Sequence, residues 1–148
     1  MFFDAHSDIW CDVTTRRLRG ETDILRKHHL PRLRKGGVEG SILVIWVDPP
    51  YDKDYGKRTQ QIMTCVDAEV KECDEIQIVH TYDEMMQANK AGKIYIFKGI
   101  EGLAAIGEDL SKIDKYYDFG CRHAMLTWNE ANALGAGALS GQSYGLTA

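Results

Sequence analysis

An excess of basic charge is the first thing this sequence lacks. In 148 residues, 18 lysines and arginines stand against 22 acids, giving a formal net charge of −4 and a pI near 5.7. No electrostatic footprint for a nucleic-acid partner is present. One basic cluster occurs, RRLRGETDILRKHHLPRLRK (16–35), but acids interrupt it and no aromatic residues are interleaved to stack on bases, so it reads as a solvated helical surface. Long hydrophobic runs are also missing. The longest, SILVIWV (41–47), is far too short to span a bilayer, and Asp4 and His6 stand where a secretory signal would need its positive residues and apolar core. Cysteine is sparse and unpatterned. Cys11, Cys65, Cys73 and Cys121 form no C-x-x-C pair, which argues against a cysteine-based zinc knot and for reduced thiols in a cytoplasmic protein without a membrane partner.

What is present belongs to a soluble globular chain, with 44% hydrophobic and 27% charged residues. The length suits one domain, 1–148, with a real core. Strand-like and helix-like segments alternate. MFFDAH (1–6) is a short apolar strand. GSILVIWVD (40–48) is a continuous run rich in β-branched residues, as expected of a strand covered on both faces, and Pro49-Pro50 stops it. From Lys57 to Cys73, Ile62, Cys65, Val66 and Val70 recur at helical spacing. TYDE (81–84) has the form of a capping box, and Gly92 closes the short helix that follows. KIYIFKGIEG (93–102) is a third strand, Leu110, Ile113 and Tyr117 mark a helix ending at Gly120, and RHAMLTW (122–128) is a fourth strand. Such alternation predicts a parallel sheet with crossover helices, an α/β architecture. No linker or internal repeat divides it. The glycine-rich tail, NEANALGAGALSGQSYGLTA (129–148), contains GAGALSG, but this follows no strand and reads as a flexible loop, not a dinucleotide-binding turn.

The polar residues that carry chemistry stand at the strand ends, where parallel α/β folds place their catalytic loops. His6 and Asp8 follow the first strand, Asp48 closes the second, Glu101 the third, and Trp128-Asn129 the fourth. Residues two apart share one side of a strand, so an H-x-D pair can offer an imidazole nitrogen and a carboxylate oxygen to one divalent ion. A carboxylate such as Glu101 can bridge two ions, which a neutral imidazole cannot. Metal-assisted hydrolysis is the implied chemistry. Plainer roles stand beside these: Asp8 as a helix N-cap, Glu101 as a turn acid, His6 as a hydrogen-bonded structural residue. Lys98 is a second candidate bridge, in carboxylated form, or else a strand-flanking lysine. His28, His29, His80 and His123 read as structural or solvent-facing, His123 at the start of its strand, at the opposite end from these residues.

DAHSD (4–8), GIEG (99–102) and LTWNEANALGAG (126–137), in this order and spacing, resemble the membrane dipeptidase (renal dipeptidase) family, peptidase family M19, in its bacterial-type form. The resemblance implies a (β/α)8 barrel of TIM type, of which this chain is the amino-terminal half. It further implies a zinc-dependent dipeptidase acting through a metal-bound hydroxide at a binuclear site. His6 and Asp8 match the first metal ligands, Glu101 the bridging and catalytic carboxylate. Trp128, where mammalian members carry a substrate-contacting histidine, and Asn129 fall at substrate. The two later ligand histidines belong to a second half that this chain does not contain. The implied partners are a dipeptide and either a carboxyl-terminal half or a second copy of the chain. Two other readings are a non-catalytic half barrel acting as an assembly unit, and a different barrel amidohydrolase with Lys98 as the bridge.

Overall fold

The computed structural model describes residues 2–147. Five parallel strands form one sheet: β1 (Phe2–Ser7), β2 (Val38–Trp46), β3 (Ile76–Ile78), β4 (Ile94–Glu101) and β5 (Cys121–Met125). β1 pairs with β2 and β2 with β4 along its length, while the other side of β4 is shared by β3 near its start and β5 near its end. Five α-helices connect them: α1 (Ile9–Arg17), α2 (Leu30–Lys35), α3 (Tyr55–Glu72), α4 (Tyr82–Lys90) and α5 (Lys112–Asp118). This is the expected α/β alternation, with the sheet all parallel.

One face of the sheet is packed by helices. Leu43 and Ile45 of β2 and Ile94, Ile96 and Ile100 of β4 are buried against Trp10 and Val13 of α1, Ile62 and Val66 of α3, and Tyr116. Residues of alternate parity point to the other face, where Phe3 stacks on Tyr95 at 6.0 Å and meets Phe97 edge-on at 6.3 Å. Tyr95 lies flat over Gly40, where a Cβ would fall inside its ring. The helix starting at Tyr82 is capped as TYDE predicts on one side only. Thr81 Oγ1 accepts from the Glu84 amide, but the Glu84 carboxylate accepts from the His80 amide at 2.6 Å, one residue upstream of the expected partner.

Three features depart from the sequence reading. β3 lies within a stretch too short to register as periodic, and pairing with β4 alone makes it a strand. The basic segment is only partly solvated: Ile24, Leu25 and Leu30 are buried, and Arg17 binds Glu69, which is itself fully buried. α5 exists, but Leu110, Ile113 and Tyr117 are exposed and Tyr116 is the residue that enters the core. The tail is a series of turns, tied back by the Ala138 and Leu139 amides donating to the carbonyls of Trp128 and Asn129.

Candidate metal centre

β1 contains the local irregularity that builds the site. Asp4 is in register with Ser41 and Ser7 with Leu43, so three steps on β1 match two on β2. That extra residue is a bulge, and it reverses side-chain parity along the strand. Phe3 and His6, three apart, would otherwise face opposite sides; here Phe3 meets Tyr95 and Phe97, and His6 meets Glu101, on the face away from the helices. The Asp4 carboxylate accepts from the His6 amide at 3.2 Å within the bulge.

Glu101 ends β4, in register with Trp46 at the end of β2. Its Oε2 lies 2.9 Å from His6 Nε2, and Asp8 Oδ1 lies 3.8 Å from the same nitrogen. Ligand atoms of His6, Asp8 and Glu101 all fall within 4.8 Å of one another. Asp8 occupies the N-cap position of α1, but its side chain makes no cap hydrogen bond; the carboxylate is left for the cluster. His6 and Asp8 are about half exposed, whereas the Glu101 side chain is 9% exposed. Burial pushes the Glu101 carboxyl above the usual carboxylate range; the His6 imidazole opposes this, and the Asp8 and Glu130 charges reinforce it. Two acids and one imidazole converging on one point suit a divalent ion.

Of the residues expected at the rim, His6, Asp8 and Glu101 come together and Asp48 does not. Arg58 Nη2 donates to Asp48 Oδ1 at 3.1 Å and draws it away. Lys98 also turns elsewhere: its Nζ donates to the Phe119 carbonyl at 2.9 Å and sits 3.7 Å from that ring centre. His29 bonds Asp12 and His80 bonds Glu84. His123 is not at the start of its strand. It is the middle residue of β5, opposite Gly99, because pairing with β4 begins at Cys121. A Cβ on Gly99 would lie 2.9 Å from its Nδ1, which is buried without a partner among the described residues.

Trp128 meets Trp46 edge to face at 5.3 Å, which brings it beside the Glu101 end of β4. Trp46 itself escaped the sequence reading, although it precedes Asp48 by two at a strand end and obeys the rule that singled out Asp48. Glu130 escaped too; Tyr55 Oη donates to it at 3.1 Å, tying the loop after β5 to the start of α3. Cys11 is close by, its Sγ 3.5 Å from the Trp46 carbonyl. Burial, with Asp48 and Asp8 adding to it, pushes this thiol up to about 12, so it is neutral and a poor ligand or nucleophile.

A sequence profile of the family described as membrane dipeptidase (peptidase family M19) matches residues 1–148. The crystal structure of dipeptidase AC, a metallopeptidase of family M19, superposes with a TM-score of 0.77 at 20% identity, covering 90% of this chain and 44% of that one. A metallopeptidase from Rhodobacter sphaeroides, liganded with a phosphinate mimic of the dipeptide L-Ala-D-Ala, gives 0.75 at 17% identity over 90% of this chain and 47% of its own. The probable dipeptidase PvdM from Pseudomonas aeruginosa gives 0.64 at 18% identity over 72% of this chain and 29% of its own. This chain therefore spans less than half the length of the solved structures it resembles, and at such identities the likeness is one of fold.

Proposed function

The chain belongs to the membrane dipeptidase family, peptidase family M19, and on that premise we propose that it contributes the first-half ligands of a zinc-dependent dipeptidase. His6 and Asp8 are proposed as metal ligands, Glu101 as the carboxylate bridging two zinc ions, and Trp128 and Asn129 as substrate contacts. The convergence of one imidazole and two carboxylates at the ends of β1 and β4 carries this reading. Bound there, zinc supplies activated water and polarises the scissile carbonyl.

The chain's own groups set the frame for that chemistry. Glu101, mostly buried at the end of a central strand, keeps a carboxylate fixed where it can serve two positions at once. His6 Nε2 and Glu101 Oε2 approach each other, so the imidazole nitrogen and the carboxylate are aimed at one point, where a bound ion would replace the hydrogen bond. Trp128 offers one N–H donor and an apolar ring, so it positions a substrate by shape and a single hydrogen bond, without charge. In the same reading residues 1–148 are the amino-terminal half of a (β/α)8 barrel, and the remaining ligands come from a carboxyl-terminal half.

The test is hydrolysis of L-Ala-D-Ala, followed as free D-alanine, by the chain completed with a carboxyl-terminal barrel half and loaded with zinc. Release of D-alanine that disappears in Glu101→Gln supports the proposal. A zinc-loaded protein that leaves a panel of dipeptides intact would reject it.

A further inference from the structure

A second polar centre lies about the start of α3, outside the cluster of His6, Asp8 and Glu101. Arg58 is 1% exposed. Its Nη2 donates to Asp48, and the flat face of the guanidinium lies 3.7 Å from the Tyr51 ring centre. Nε and Nη1 are buried and have no acceptor among the described residues. A ring satisfies the face of a guanidinium but not the N–H groups at its edge, and a charged donor left unpaired inside a protein is costly. Two such donors on one side chain call for an acceptor.

The surroundings indicate its charge. Arg58 lines a cleft of about 260 Å³ together with Pro50, Tyr51, Lys53, Asp54, Lys57 and Gln61, far roomier than the ~30 Å³ share of one water. Lys53 and Lys57 are exposed at its mouth. The 18-residue helix α3 begins here, so its positive end adds to the same field. The acids nearby are largely committed: Asp48 to Arg58, and Asp54 to capping the Lys57 amide at 3.0 Å; Asp52 is exposed. Unpaired donors, two lysines and a helix start select an anion with several acceptor oxygens.

We propose that the cleft formed by Arg58, Lys53, Lys57 and the first turn of α3 binds a small tetrahedral oxyanion, either free phosphate or the phosphoryl group of a larger ligand. The Tyr51 ring covers the guanidinium, so the ring turns aside as the anion enters. Arg58 holds Asp48, two residues beyond β2, while Nε and Nη1 take the anion.

The experiment is an NMR titration of the chain with sodium phosphate and, separately, with glycerol 3-phosphate, each against sodium chloride at equal ionic strength. Saturable shifts of the amides of residues 51–58 and of the Arg58 Nε–H, beyond those caused by chloride, are expected. The double variant Lys53→Ala/Lys57→Ala, altered only at exposed positions, is expected to bind about tenfold more weakly, in keeping with the loss of charged hydrogen bonds; Arg58→Lys is expected to abolish saturation. If Arg58→Lys does not fold, the double variant decides. Tighter binding of glycerol 3-phosphate than of phosphate identifies a phosphoryl ligand, and the reverse identifies the free ion. Shifts in phosphate equal to those in chloride, or unchanged affinity in the double variant, would overturn the proposal and leave water as the partner of Arg58.

Discussion

His6 Nε2 lies 2.9 Å from Glu101 Oε2, although the strands that carry them are not neighbours. β2 runs between β1 and β4, and the two side chains meet across its end. Two local features make the contact. The bulge in β1 turns His6 to the face away from the helices, and the continuous pairing of β2 with β4 from Gly40 to Trp46 holds Glu101 at the same height.

Gly40 supports that pairing from below, because the Tyr95 ring occupies the space a side chain would need. Gly40→Ala forces the ring from its stack on Phe3. We expect a loss of about 1–3 kcal/mol, as for other overpacked sites, read as a lower urea midpoint with unchanged m-value. An unaltered midpoint would mean that the ring moves freely.

Arg17 is the charged partner of the fully buried Glu69, with Nη1 to Oε2 at 2.6 Å, and Glu69 also accepts the Leu25 amide at 2.6 Å. Removing the arginine strands a carboxylate in the core. Arg17→Met is expected to destabilise the chain by about 3–5 kcal/mol. Glu72→Gln, which leaves Glu69 paired, is expected to cost no more than about 1 kcal/mol because Glu72 is partly exposed. Equal costs for the two variants would contradict this division.

The hydrogen bond from Arg17 holds the Glu72 carboxyl down at about 2, with the Asp23 amide helping. A depressed acid stabilises the fold above its unfolded value, near 4.5, and that contribution disappears as pH falls from there toward 2. The urea midpoints of the native chain and Glu72→Gln should therefore differ at pH 6 and converge near pH 2. A constant gap across that window would show that Glu72 is not the titrating group.

Cys11 is the least buried of the four free cysteines, yet burial pushes its thiol up to about 12. Alkylation by iodoacetamide at pH 8 should be much slower in the folded chain than in urea, because little thiolate is present. Comparable rates in both states would mean that the segment around Trp46 and Asp48 opens readily.

Much of this organisation was legible in the sequence. His6, Asp8 and Glu101 could be read because strand-end position and residue type were enough to bring them to one rim. The alternation of strands and helices followed from hydrophobic period. Asp48 could not be excluded from the rim, because its fate depends on Arg58, ten residues away on α3. β3 escaped because three residues carry no period and only β4 makes them a strand. The bulge in β1 was invisible as well; it is known only from the register with β2, and an H-x-D spacing looks the same with or without it. The partial burial of the basic segment rests on long-range contacts that its spacing does not reveal: Ile24, Leu25 and Leu30 enter the core, and Arg17 pairs with Glu69.

No helix among the described residues is long and apolar enough to cross a membrane. The most direct test of the account is zinc binding by the chain, completed with a carboxyl-terminal barrel half, after exhaustive chelation, measured calorimetrically with elemental analysis of the dialysed protein. Zinc retained by the native chain and lost in both Glu101→Gln and His6→Ala, each folded by circular dichroism, is the predicted result. Zinc retained equally by all three, or by none, would contradict the assignment of His6, Asp8 and Glu101 as a metal centre.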